Sequence, residues 1–307
     1  MSLSVNMRSS LLMAAAMAGF TTNDALVKML GGTVGAGQIM MVRGAIMLAA
    51  MLLFVRIART PMPIRRAMTG AMALRAAGEV IGTVFFLFAL FHMPIANVSA
   101  VLQALPLAVT LGAALVLKEP VGIRRLSAIL IGFGGVVLII RPGMEGFTIY
   151  SLAALATVAF AAMRDLATRR LPTGLPTLTF SLLTTVAVTA TGAVMMMFSG
   201  GWKPLQLGDL GLLCGSALFL IIAYQCVILA LRDGDIHVVA PFRYASLVWA
   251  IILGIVLFGE WPDALTLIGA GIIVATGLYT LHREMVVAKR AASANISAAS
   301  PPPARGT

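Results

Sequence analysis

The sequence predicts an all-α integral membrane protein of ten transmembrane helices, arranged as an inverted repeat of five plus five. Three observations carry that prediction. The 307-residue chain is 60% hydrophobic and 11% charged, with a mean hydropathy of +1.00, which is more apolar material than a soluble domain of this length can bury. Apolar stretches close to the roughly 20 residues that cross a bilayer lie at about 8–30, 36–57, 68–91, 95–117, 124–140, 148–167, 176–198, 207–231, 236–258 and 263–282. The second half also restates the first at a constant offset of 141 residues, without a gap from Ser10 to Leu126. Asp24 falls on Asp165, Lys28 on Arg169, Ile95 on Ile236, Ala104 on Ala245 and Glu119 on Glu260. The acidic matches weigh most, because only 11 residues of the chain are Asp or Glu.

Orientation follows from where the basic residues stand. With the N-terminus in the cytoplasm, the inside segments hold Arg56, Arg59, Arg65, Arg66, Arg124, Arg125, Arg164, Arg169 and Arg170 among others, whereas the outside segments hold Lys28, Arg141 and Lys203. Cytoplasmic excess of Lys and Arg is the rule for membrane proteins, so both termini are expected inside, and the net charge of +11 does not imply nucleic acid. An odd number of spans per repeat makes the two copies opposite in direction. The repeats are bounded at 8–141 and 146–283. Nothing before the first span reads as a cleavable signal, since Met1–Ser10 carries only Arg8 and the run behind it is long enough to remain as a helix. The small, Pro-rich segment 291–307 reads as a disordered cytoplasmic tail.

Composition also narrows the chemistry. His92, His237 and His282 are scattered near span ends, and no HExxH, GxSxG or Walker-type loop is present. The loops are too short for a soluble catalytic or nucleotide-binding domain, so no enzyme, metal or cofactor is expected. Cys214 and Cys226, 12 residues apart in the eighth span, are packing residues rather than a disulfide or metal site. No filter-like loop of the kind a channel uses is visible. Inverted repeats instead favour a carrier that exposes one midplane site to each side in turn.

Polar residues at helical spacing inside apolar spans mark candidate cavity walls. The fourth span offers Ser99, Gln103, Pro106 and Thr110 on one stripe, with Pro106 expected to kink the helix and free a carbonyl; packing through Ser and Thr is the competing reading. In the third span, Arg75, Glu79, Thr83 and Phe86 share a face. An Arg75–Glu79 pair would offset part of the roughly 3 kcal/mol that each charge costs near the bilayer centre, and Glu79 is alternatively the coupling residue. The ninth span contributes His237, Arg243, Tyr244 and Trp249. Arg243 either grips a substrate carboxylate or snorkels to the interface. Tyr224 and Gln225 of the eighth span and Thr21 of the first complete the set, whose aromatic members suit flat or apolar side chains. Asp24 with Lys28, and Asp165 with Arg169, read as structural four-spaced ion pairs. Glu119 and Glu260 precede helices, where a negative charge favours the dipole. Gly132, Gly134, Gly135, Gly269, Gly271 and Gly277 read as helix-packing stripes. The abundant methionines, Met13 and Met17 among them, read as adaptable packing.

Two runs carry a resemblance. Ala89–Gly143 and Ala230–Tyr279 each hold an Ala-Leu turn, a Pro-bearing helix that closes on Lys-Glu-Pro or Gly-Glu-Trp-Pro, and a Gly-rich final helix. They resemble the two EamA units of the drug/metabolite transporter superfamily, and the likeness spans residues 8 to 283. It implies ten helices around an internal cavity and ATP-independent transport of small metabolites across the bacterial inner membrane; the candidate residues lead us to expect the first, third, fourth, sixth, eighth and ninth helices to line that cavity. Within the superfamily the chain is similar to exporters of aromatic and other small neutral amino acids. Uptake carriers for riboflavin or S-adenosylmethionine and cationic-drug efflux proteins share the framework and remain alternatives, as do a channel or a membrane assembly partner. A lipid bilayer and a small-molecule substrate are the expected partners, with monomer and homodimer both open.

Overall fold

The computed structural model describes residues 5–118, 122–143, 147–172, 174–233 and 235–299, apart from the side chains of 233, 236, 237, 284, 285 and 287–299. No strand occurs among the described residues, and ten helical spans are long and apolar enough to cross a membrane. In chain order the helices are α1 (Val5–Leu30), α2 (Ala36–Ala58), the single turn α3 (Ile64–Ala67), α4 (Gly70–His92), α5 (Ile95–Leu102), α6 (Leu105–Val116), α7 (Ile123–Ile140), α8 (Ile149–Thr168), α9 (Thr177–Phe198), α10 (Leu207–Asp233), the single turn α11 (Ile236–Val239), α12 (Ala245–Phe258) and α13 (Ala264–Ala299). Ten crossings return the chain to the side where it started. The side holding Val5 and Arg283 is called the terminal face below, and the side holding Leu30 and Ala36 the opposite face.

Local chemistry sets the ends of these helices. Thr69 caps α4 by accepting the Met72 N–H at 3.2 Å, and Asp263 caps α13 by accepting the Thr266 N–H at 2.9 Å. Desolvation pushes the Asp263 carboxyl up, but hydrogen bonds from Thr266 and the Arg141 guanidinium outweigh it and hold the group below its ordinary range. Arg59 and Arg141 end α2 and α7 in the left-handed conformation, φ 48° and 54°. Lys118 and Gly259, matched by the 141-residue offset, are left-handed as well, at φ 56° and 65°. The repeat is therefore written in backbone conformation as well as in sequence.

Each span finds its main neighbour in the other repeat. α1 packs on α10, α4 on α8, α2 on α9, α7 on α13, and the fourth span meets the ninth through α5 and α12. Exchanging every span for its counterpart turns α1 against α10 into α8 against α4 and maps the other three pairings onto themselves. Two of these self-matched pairings close glycine against glycine. A Cβ on Gly37 would stand 2.8 Å from the Gly192 carbonyl oxygen, and one on Gly269 would stand 2.5 Å from that of Gly135. Of the predicted glycine stripes, Gly132, Gly135, Gly269 and Gly277 make close contacts, whereas Gly134 and Gly271 face open space.

Three sequence expectations change. The fourth and ninth spans are not continuous helices: α5 stops at Leu102 and α6 starts at Leu105, while a 3₁₀ turn, Ala240–Tyr244, separates α11 from α12. By the offset, the break at Gln103 and Ala104 falls on Tyr244 and Ala245, where the 3₁₀ turn gives way to α12. Pro106 stands in the first turn of α6, where its missing N–H has no helical partner to lose, so it starts a helix instead of kinking one. The backbone of 291–299 continues α13 as helix where composition reads as disorder, because the Ala-rich run AASANISAA favours helix once a long helix precedes it; 300–307 lie outside the described residues.

The glycine contacts are directly testable. Gly269→Val is expected to destabilise the protein by about 1–3 kcal/mol, because its side chain meets backbone that cannot swing away. Gly271→Val, on the same helix where an added Cβ meets nothing within 4 Å, is expected to be nearly neutral. Thermal unfolding in detergent reads both.

Candidate functional site

Charged and polar side chains from five spans meet inside the bundle, and they form two linked groups. In the first, Asn23 of α1 accepts a hydrogen bond from Arg43 Nη1 of α2 at 3.3 Å and donates its Nδ2 hydrogen to Asp24 Oδ1 at 2.9 Å. In the second, Arg164 of α8 donates from Nη1 to Glu79 Oε2 of α4 at 2.9 Å and from Nε to Asp165 Oδ1 at 2.8 Å. Arg43 lies within electrostatic reach of Asp24, Glu79 and Tyr224, and Tyr224 of Glu79, Arg164, Arg43 and Arg75, so the two groups form one cluster. The cluster holds the acids Asp24, Glu79 and Asp165 with Arg43 and Arg164, while Arg75 at its edge turns to Thr168. Phe20 packs edge-on against Tyr224, ring centroids 5.1 Å apart, and Tyr224 remains 50% exposed despite these neighbours.

The opposite face is tied by a separate network. Lys28 Nζ donates to Glu260 Oε1 and to the Met93 carbonyl, each at 2.6 Å, and lies 5.0 Å from the Phe258 ring centroid. Glu260 Oε2 accepts the Ile95 N–H at 2.8 Å, where a carboxylate also complements the N-terminus of α5. At mid-depth the two broken spans are joined, Gln103 Nε2 donating to Ser246 Oγ at 2.5 Å.

The four-spaced ion pairs read from the sequence do not form. Lys28 bonds Glu260 rather than Asp24, and Asp165 takes its hydrogen bond from Arg164 rather than Arg169. Glu79 pairs with Arg164, while Arg75 donates to Thr168 Oγ1. In each case a partner other than the one four residues away wins: Lys28 and Glu79 find theirs on another span, and Asp165 finds its own on the neighbouring residue, which also grips Glu79. Arg164 accordingly belongs inside the sixth span and not to a cytoplasmic segment.

Other expected cavity residues are distributed differently. Gln225 shares a stripe with Leu218, Ile222 and Leu229, all exposed, on the side of α10 turned away from α1. Trp249 shares an exposed stripe with Ile252 and Val256. Tyr244 is buried against Gly277 of α13, and its hydroxyl has no partner among the described residues. Thr21 is buried and donates to the Met17 and Ser246 carbonyls. Phe86 packs into the apolar core, Thr83 and Ser99 are half-buried, and Thr110 accepts from Arg125. Arg243 is exposed, and the His237 side chain and Glu119 lie outside the described residues. Sequence reasoning missed Asn23, Arg43 and Phe20. The offset held a signal for the first, since Asn23 falls on Arg164.

If Glu79 and Arg164 are coupled as their geometry indicates, the Glu79→Gln, Arg164→Gln double variant will lose less stability than the sum of the single losses, with a coupling of about 1–3 kcal/mol in a double-mutant cycle.

A family model described as EamA-like transporter family matches residues 7–141 and again 148–281. The pseudopaline exporter CntI of Pseudomonas aeruginosa is 26% identical over 86% of this chain and 92% of its own length. A riboflavin transporter of Vibrio cholerae is 27% identical over 81% and 84%, and an S-adenosylmethionine uptake transporter of Rickettsia conorii is 28% identical over 69% and 71%. One solved structure superposes with a TM-score of 0.62 at 22% identity, over 91% of this chain and 98% of its own, which shows the fold. Ten spans and bacterial transporter relatives make this a multi-pass protein of the bacterial inner membrane. With both halves matched, the chain belongs to the EamA-like transporter family.

Proposed function

We propose that this protein exports amino acids, aromatic and other small neutral ones, or closely related zwitterionic metabolites, by alternating access through the space between its repeats. The charge-balanced cluster carries the reading. A zwitterion brings both signs and no net charge, and Arg43 and Asp24, neither held in an ion pair among the described residues, offer both at once. The Arg43 guanidinium suits a carboxylate through two parallel N–H bonds, Asp24 suits an ammonium, and the Phe20–Tyr224 pair offers an apolar wall for a side chain. Packing that survives exchange of the repeats supports an inverted arrangement in which each half can take the other's conformation. The basic bias of the loops supports cytoplasmic termini. The pseudopaline exporter among the relatives favours export, whereas the S-adenosylmethionine uptake transporter favours uptake as the second reading.

Counterflow in proteoliposomes tests the substrate. Vesicles loaded with unlabelled amino acid are expected to draw in labelled phenylalanine or leucine saturably. Arg43→Ala is expected to weaken apparent affinity by about tenfold to a hundredfold, the worth of a charge-assisted hydrogen bond, and Arg243→Ala to leave it near wild type. Loss in Arg243→Ala with Arg43→Ala unaffected would move the carboxylate site to the ninth span. Absence of counterflow with every amino acid would overturn the substrate reading.

A further inference from the structure

Asp24 and Asp165 occupy matching places in the two repeats, and each is hydrogen-bonded by the side chain just before it. Those preceding residues differ in charge. Asp165 is held by the Arg164 guanidinium, which also grips Glu79, so both of these acids are ion-paired. Asp24 receives a neutral amide N–H from Asn23, and Arg43 directs its near hydrogen bond to Asn23 Oδ1 rather than to the carboxylate. No ion pair involving Asp24 occurs among the described residues. The other groups around α1 do not supply one: α10 brings Tyr224 one turn away against Phe20, α4 brings Glu79 already taken by Arg164, α12 brings the Ser246 carbonyl to Thr21, and Lys28 on α1 itself is held by Glu260. Asp24 also stays partly accessible although α1 is enclosed by α10 and α12.

We infer that Asp24 is the proton-exchange site of the carrier, taking up a proton from water when the substrate ammonium leaves and releasing it when the ammonium returns. One carboxylate serves both cations in turn, so one proton moves inward for each substrate exported, with no other reactant. Glu79, the coupling residue expected from depth alone, is instead held in an ion pair by Arg164. The inference rests on the reading that the cargo carries an ammonium group.

Competition fixes the sign of the test. Substrate affinity of the wild-type carrier in liposomes falls as pH falls, approaching tenfold per pH unit once Asp24 is largely protonated. In Asp24→Asn, which keeps the shape, binding is weaker but flat with pH, whereas Glu79→Gln and Asp165→Asn keep the wild-type slope. A flat wild-type profile, or a slope that survives in Asp24→Asn or vanishes in Glu79→Gln, would overturn the inference. An infrared pH titration of the same proteoliposomes needs no substrate: in the difference spectrum of wild type minus Asp24→Asn, one protonated-carboxyl band that grows over the same pH range as the loss of affinity is expected. Absence of such a difference band would overturn the inference, and its presence without any amino-acid binding would mean that the cargo assignment had failed and the proton site had not.

Discussion

A charge inside a hydrocarbon slab must be paired, hydrated or removed, and that constraint shapes the centre of this protein. Asp24, Arg43, Arg75, Glu79, Arg164 and Asp165 are spread over α1, α2, α4 and α8, so satisfying them draws together spans that are distant in sequence. Apolar matching alone would not select neighbours, since lipid tails satisfy a leucine as well as another helix does. The Glu79–Arg164 bond sets α4 on α8, and glycine contacts such as Gly135 with Gly269 set the pairs that carry no charge.

The two broken spans put irregular backbone at mid-depth, where it is tolerated only inside protein or beside water. Gln103 and Ser246 meet there, each beside its own break, and share a hydrogen bond. Lys28, Glu260 and the Ile95 N–H then close the opposite face over the same region. Polar groups are thus concentrated along one path through the bundle, while the outer surfaces carry residues such as Leu115, Ile123 and Phe198.

The spans and the repeat were legible because they depend on composition and on a fixed offset, both local properties of the string. The partners of the charges were not. Spacing of four residues pointed Asp24 to Lys28 and Arg75 to Glu79, yet Lys28 finds Glu260 across 232 residues and Glu79 finds Arg164 across 85. Helical periodicity says which residues share a face but not what the face meets, and for Gln225 it could not tell an inward face from the lipid-facing stripe of Leu218, Ile222 and Leu229. The break at Gln103 and Ala104 likewise undoes the straight stripe expected from Ser99 to Thr110, because that stripe assumed an uninterrupted helix.

The separation of Glu79 from Arg164 has a consequence for synthesis. At about 5–20 residues per second, the 85 residues between them take roughly 4–17 s to make, and during that interval the third span stands in the membrane with its acid unmatched. A lone acid at mid-span costs about 3 kcal/mol on insertion scales, so a newborn first half is a strained intermediate that must be sheltered at the insertion site, protonated, or temporarily paired with Arg75 until the sixth span arrives.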